Sequence, residues 1–467
     1  MARTKELDML NGALLPKLMM FSLPLALTGI LQLLFNAADV IVVGKFAGST
    51  SLAAVGATSA LISLLTGAFI GISVGVNILV ARYIGCRDDA GVSRAVHSAV
   101  TLSLLLGVVT FLLGFFLSTP MLELMGTPDD VLRLASLYLR IYFIGIPGAL
   151  IYNFAAAILR AYGDTKRPLL FLAVSGVLNV FLNLFFVIVC RLDVAGVAIA
   201  TVVSQYVSVV LILVCLMRQT GPARLSLRQL RLHPSEALRM IQIGLPAGLQ
   251  SVVFNISNVM VQSCVNSFGA DVIAANTASA NIAAFTYTAM NAVFHAAITF
   301  TSQNLGARRH DRIWKIFWNC QLTVMLIGVP LCVLSTVFGP QLLSIYVSAD
   351  DPARDAVIAM GMIRTYYVTT PYFLCGIMEV CCGMVRGLGK SWLPMVVTIF
   401  GACVMRIVWI YTIFAWKHTL PALYVSYPIS WVITAAMHVV CFVYFWKRIR
   451  RKLEQTAPAA ADIRKES

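Results

Sequence analysis

The sequence predicts an all-α integral membrane protein: twelve transmembrane helices in two six-helix lobes, related by a pseudo-two-fold axis along the membrane normal. Three observations carry that expectation. Of the 467 residues, 59% are hydrophobic and only 12% are charged, whereas soluble domains carry about 25% charged residues. The apolar residues gather into long stretches, each near the roughly 20 residues that a membrane-spanning helix needs. Landmarks of the first half of the chain also recur, in order, in the second.

In chain order, the first stretch, 17–44, follows Lys17 and carries Pro24 and Asp39. The second, 53–81, stops before Arg82, and the third, 95–118, begins after Arg94. The fourth, 134–158, runs to Arg160. The fifth, 168–190, lies between Arg167 and Arg191, and the sixth, 194–217, ends at Arg218. The seventh, 240–266, follows Arg239, and the eighth, 272–303, precedes Arg308 and Arg309. The ninth, 316–338, follows Lys315, and the tenth, 358–385, precedes Arg386. The eleventh, 392–415, follows Lys390, and the twelfth, 421–446, stops at Lys447. None alternates with the period of two that marks a barrel strand, and all are longer than one. Helices satisfy every backbone group inside lipid, so a helical bundle follows.

The charges report orientation. The net charge is +15, which in a soluble chain would suggest nucleic acid. When the connecting segments are assigned alternately to two sides, 27 of the 35 Lys and Arg fall on the side holding both termini. The positive-inside rule then places both termini in the cytoplasm of a multi-pass cell-membrane protein, and no nucleic-acid partner is needed. The polar start runs into a span too long for a signal h-region, so no cleavable signal peptide is expected.

The internal repeat is visible directly. Leu23-Pro24 matches Leu245-Pro246 at an offset of 222. Phe35-Asn36 and the residues after it resemble Phe254-Asn255 and theirs, at 219. Ile84-Gly85 matches Leu305-Gly306 at 221. Arg160, Gly163 and Pro168 match Arg386, Gly389 and Pro394 at 226. The expected organisation is an N-lobe (1–217), a basic cytoplasmic linker (218–239), a C-lobe (240–446) and a basic tail (447–467). Six helices per half keep both halves in one orientation, and transporters built this way rock two halves around a central site.

Eleven cysteines form no CxxC pattern. They read as small apolar packing residues, with neither a disulfide framework nor a zinc site implied. A Walker A motif and HExxH are absent, so no enzyme is expected.

The stretch from Asn36 to Gly85 resembles the first helix pair of the multidrug and toxic compound extrusion (MATE) transporters. ILRAYGDTKRP at 158–168 is similar to that family's loop after the fourth helix, and AGVAIATVVSQ at 195–205 to its sixth helix. NSFGADVIAANTAS and MVRGLGKSWLP are the second-half copies. The resemblance covers 17–446. It implies a pair of six-helix lobes and cation-coupled export of organic, often cationic, drugs or metabolites by alternating access. A lipid-linked oligosaccharide flippase of the same superfamily is the alternative, disfavoured because bases within the spans (Arg364, Arg406, Arg140) are few. No cofactor is expected beyond a coupling ion, sodium or proton. The partners are small organic substrates and the lipid bilayer, and the chain is expected to be a monomer.

Ionisable groups at membrane depth are costly and mark function by default. Asp39 lies mid-span, as a carboxylate able to couple a cation to shape. Asn179 and Asn183, four apart, share a helix face, and Thr201 lies on the next span. Their oxygens suit a hard cation. By resemblance to the branch with an N-lobe cation site, Asp39, Asn179, Asn183 and Thr201 are the cation-binding set and a sodium site. Asn183 stands where that branch has an aspartate. The plain alternative is hydrogen bonding between helices. Candidates for the substrate cavity are Asn153, Gln250, Asn255, Glu379 and His295. Glu379 is the C-lobe's mid-span acid, and pairing with Arg364 or Arg406 is its bland reading. Pro24 and Pro246 are expected to kink or hinge the first helix of each half.

Overall fold

The computed structural model describes residues 7–347 and 352–463. Arg3, Lys5 and Glu6, and in the tail Arg464, Lys465 and Glu466, lie outside the described residues. Among the described residues every regular element is a helix. The twelve expected spans are present: α1 Leu14–Ala47, α2 Ser49–Cys86, α3 Asp89–Leu124, α4 Asp129–Ala161, α5 Lys166–Val189 and α6 Asp193–Met217. The second half adds α7 Pro234–Asn266, α8 Ala270–Gly306, α9 His310–Val337, α10 Arg354–Gly387, α11 Trp392–Phe414 and α12 Leu420–Arg451. Eleven of these are long and apolar enough to cross a membrane, and α8 is the one left out. It is 37 residues long but carries Asn276, Ser279, Thr286 and Asn291. A helix buried among other helices has no need of a lipid-facing surface, and more than half of α8 is buried.

Several helices overrun their apolar stretches by one to two turns, α2 and α3 at both ends. At 1.5 Å per residue, the 38 residues of α2 measure about 57 Å, against a hydrocarbon core of about 30 Å. The basic linker 218–239 is shorter in the structure than expected, because α7 already begins at Pro234; between the helices lies one short 3-10 turn, Leu227–Gln229.

The repeat is written in the backbone as well as in the residues. Gly48 ends α1 at φ 88°, and Gly269 ends α7 at φ 98°. Arg87 after α2 and Arg308 after α8 are both left-handed, at φ 57° and 55°. Gly163 after α4 and Gly389 after α10 sit at φ 82° and 83°. Non-glycine residues rarely take positive φ, so a matched arginine pair at one offset reflects one loop used twice.

Two compact units form, and they are not cut where the repeat would cut them. Among the described residues the first is Leu27–Gly248 and the second is Asp8–Ala26 with the described residues from Leu249. Each division falls two residues after a proline inside a helix, Pro24 of α1 and Pro246 of α7. The physical reason is packing. In the first unit the backbone of α7 comes against α2 through glycines on both sides. A Cβ on Gly71 would lie 2.2 Å from the Gly248 nitrogen, and one on Gly75 2.2 Å from the Met240 oxygen. Gly71 and Gly75 on α2, and Gly244 and Gly248 on α7, are each spaced GxxxG, the small-residue pattern that lets membrane helices approach closely.

At the centre of the first unit, α4 packs against α2, α3 and α6. Ala155, Ala157, Leu159 and Val197 are fully buried there, and Asn77 of α2 donates to the Ala157 carbonyl at 3.1 Å. Near the start of α7, buried Glu236 accepts the Tyr83 hydroxyl at 2.6 Å and Arg94 Nε at 3.5 Å. In the second unit α8 plays the central part against α9 and α10, and Phe21 of α1 meets Phe300 edge-on at 5.7 Å. Arg309 and Arg312 donate to the carbonyls of Leu10 and Gly12, at 2.6 and 3.1 Å, and hold the chain's start.

Several helices loosen locally into π turns: Val43–Ala47 in α1, Phe185–Val189 in α5, Thr365–Thr369 in α10, and Ile399–Val404 and Ile410–Phe414 in α11. In α10 the π turn leads straight into a 3-10 turn at Thr370–Tyr372. Pro371, which lacks an N–H for the helical ladder, accounts for that break.

Candidate functional site

Within the first unit, α1, α5 and α6 bring the four N-lobe candidates into one chain of hydrogen bonds. Helical spacing stacks Asn179 and Asn183 on one face of α5, and both are buried. Asn183 Nδ2 donates to Asp39 Oδ1, and to Asn179 Oδ1 at 3.3 Å. Asn179 Nδ2 in turn reaches Thr201 Oγ1 at 3.4 Å, and that hydroxyl donates to the Val197 carbonyl at 3.0 Å. The close approach of α1 to α5 depends on Gly176. A Cβ there would lie 1.8 Å from the Phe35 ring, one turn before Asp39.

One buried atom of this chain lacks a protein partner. Asn183 Oδ1 is fully buried and accepts no hydrogen bond in the structure. A buried carbonyl oxygen left without a partner costs about 1–3 kcal/mol. Around it the donor set is a carboxylate, two amide oxygens and a hydroxyl, which fits a hard monovalent cation and equally a proton on Asp39. The asparagine at 183 has a clear consequence. A carboxylate at that position would repel Asp39, whereas the amide donates to it.

Tyr138 and Tyr142 of α4 stack at 6.2 Å and lie within electrostatic reach of Asp39. The sequence reading passed over them, although their spacing of four on a helix was visible. Asn153 of α4 is not brought into this chain: its amide bonds back to the Ala149 carbonyl of its own helix at 2.8 Å.

The C-lobe candidates fall in the second unit and form separate contacts. Buried Gln250 accepts from Arg386 Nη2 at 2.5 Å, and the Arg386 guanidinium also lies 5.7 Å from the Phe294 ring. Glu379 requires a correction. The cation acting on it is Arg386, seven residues along its own helix, and neither Arg364 nor Arg406 pairs with it. Arg364 donates instead to Ser279 at 3.2 Å. Arg406 donates to Ser430 at 3.1 Å and Asn258 at 3.5 Å. Seven residues are about two helical turns, which returns Arg386 to the face of Glu379. Position 386 stood out in the sequence only as a repeat landmark. His295 packs edge-on beside Phe294 at 5.3 Å, and Asn255 is half-buried on α7. Pro24 and Pro246 lie inside α1 and α7.

A family profile for MatE matches residues 24–185 and again residues 246–412. The chain belongs to the MatE family. The two matched segments begin at the two helix prolines, so the repeat seen by eye is the family domain present twice. MatE proteins are multi-pass membrane transporters, and the twelve-helix architecture described above is theirs. The chain is 26% identical over 437 residues to the probable multidrug resistance protein YoeA of Bacillus subtilis, covering 92% of this chain and 93% of that one. It is 28% identical to the probable multidrug resistance protein YpnP of the same organism, covering 86% and 89%. A FAD transporter of Shewanella oneidensis is 25% identical over 63% of this chain and 66% of its own. Among solved structures, a multidrug resistance MATE family transporter of the MOP superfamily superposes with a TM-score of 0.87, at 23% identity over 97% and 99% of the two chains. A MOP superfamily transporter from Pyrococcus furiosus does so with the same score and identity, over 96% and 99%. These structural likenesses bear on the fold.

Proposed function

We propose that this MatE protein is a cation-coupled antiporter, driven by sodium or protons, that exports organic, often cationic, drugs or metabolites by alternating access. The single observation that carries the coupling is the buried, partnerless Asn183 Oδ1 beside Asp39. In the structure the Asn183 amide points its N–H at the carboxylate. Once Asp39 takes a proton or faces a cation, that donor is no longer needed. Turning the amide over then presents Oδ1 to the proton or cation. The turn also breaks the bond from Asn183 to Asn179, so the change passes along α5 toward Thr201 on α6. A cation that binds the two arrangements unequally shifts the balance between them. The drug-resistance names of the Bacillus relatives support organic substrates.

The test is efflux of a fluorescent organic cation from proteoliposomes under a sodium gradient alone, a proton gradient alone, or neither. The expected outcome is efflux under at least one gradient and none without. Equal efflux in all three conditions would overturn coupling.

A further inference from the structure

Arg406 presents a problem that the coupling chain does not solve. Its side chain is 1% exposed, in the middle of α11, inside a span. Arginine does not deprotonate in proteins, so a full positive charge sits at membrane depth, where charges are paired or lead into a pathway. No carboxylate among the described residues comes within ion-pair distance of it. Glu379 and Arg406 both act electrostatically on Cys375, but they do not pair.

The guanidinium is held all the same. Nε donates to buried Ser430 at 3.1 Å, and Nη1 donates to Asn258 Oδ1 at 3.5 Å. The Tyr427 ring lies 4.2 Å from its central carbon and the Phe254 ring 5.3 Å. The third nitrogen, Nη2, is buried and donates to nothing in the structure. Aromatic faces and neutral oxygens orient the fork without neutralising it, and they leave one donor nitrogen open. The surrounding Phe254, Asn258 and Tyr427 are only half-buried, so the charge is shielded by side chains that have exposed edges of their own. The backbone agrees. Arg406 lies in the single α turn, Met405–Trp409, between the two π segments of α11, and π turns inside helices are frequent at functional sites.

We propose that Arg406, set by Asn258, Ser430 and Tyr427, is a binding site for an acidic group on the transported molecule, a carboxylate or a phosphate. A guanidinium fork with an open N–H edge matches the two oxygens of such a group. The same unit carries Glu379, which suits a cationic group. Molecules bearing both charges therefore belong to the substrate class, along with amphipathic acids, and purely cationic drugs are one part of it. The inference rests on the antiporter reading for the word "transported"; binding itself does not.

The test uses the purified full-length protein in detergent with no ion gradient, so that failure of coupling and failure of this site read separately. The probe is dansyl-phenylalanine, a carboxylate whose fluorescence rises in apolar surroundings, compared with its uncharged methyl ester. The expected result is at least tenfold tighter binding of the acid. Arg406→Gln brings the acid to the affinity of the ester and leaves the ester unchanged, while Arg406→Lys keeps part of the preference. Equal binding of acid and ester to the unaltered protein overturns the proposal with no variant required. Retention of the preference in Arg406→Gln overturns it too.

Discussion

Replacing Asp39 by asparagine separates a coupling carboxylate from a structural one, because the two side chains are nearly the same size. In the variant, Asn183 Nδ2 still finds an oxygen to donate to. The bond changes from one with a charged acceptor, worth about 1.5–3 kcal/mol, to a neutral one worth about 0.5–1.5. The cost to the fold is thus about 1 kcal/mol, a shift of about 2–4 °C in thermal unfolding for a unit of this size. The effect on a cation is far larger. A unit charge about 4 Å from the carboxylate gains about 4 kcal/mol at an effective dielectric of 20, and at 1.4 kcal/mol per decade that is nearly a thousandfold in half-saturating cation. No workable gradient compensates for such a loss. In proteoliposomes the Asp39→Asn protein should therefore unfold within a few degrees of its parent, yet show only passive leak under sodium and proton gradients alike. Efflux within twofold of the parent under either gradient would refute the assignment of Asp39.

Three further outcomes follow, two from the packing and one from the charge pattern. A Cβ on Gly176 meets Phe35, so Gly176→Ala should cost about 1–3 kcal/mol through overpacking and slow efflux by displacing α1 from α5. Shortening the ring in Gly176→Ala/Phe35→Leu should recover both, as read by thermal unfolding and dye efflux. Removing the buried acceptor in Glu236→Ala leaves the Tyr83 hydroxyl without its 2.6 Å bond and should cost about 1.5–3 kcal/mol. Arg94, 43% exposed, adds little, and Glu236→Gln should retain much of the stability. Cys86 and Cys190 are exposed at the ends of α2 and α5, which the basic-residue pattern puts on opposite faces of the membrane. A membrane-impermeant maleimide applied to intact cells should label Cys190 but reach Cys86 only after permeabilisation; the reverse order would invert the topology.

The helices were legible because lipid imposes one rule on every span, and charged residues bracket each apolar stretch. Even α8, the most polar of the twelve, was legible as an apolar stretch, 272–303, that ends before Arg308 and Arg309. The Asp39, Asn179, Asn183 and Thr201 set was legible because helical spacing and resemblance pointed the same way. The order of its hydrogen bonds was not, since it depends on side-chain rotation, which no spacing encodes. The cation that acts on Glu379 was missed for a different reason: Arg386, two turns along the same helix, was read with the cytoplasmic bases that follow the span. The meeting of Gly71 and Gly75 with Gly244 and Gly248 was written in the sequence as two GxxxG patterns. It becomes meaningful only when one knows that α2 and the first half of α7 belong to the same unit.

That membership bears on how the protein is made. Residues 8–26 leave the ribosome early, but the unit they complete is synthesised almost entirely after position 248. Residues 27–217 meanwhile wait for 234–248 before Gly71 and Gly75 have a neighbour. Neither copy of the MatE domain is thus a finished body by itself. A chain severed in the linker would yield two fragments, each lacking a half-helix that the other carries.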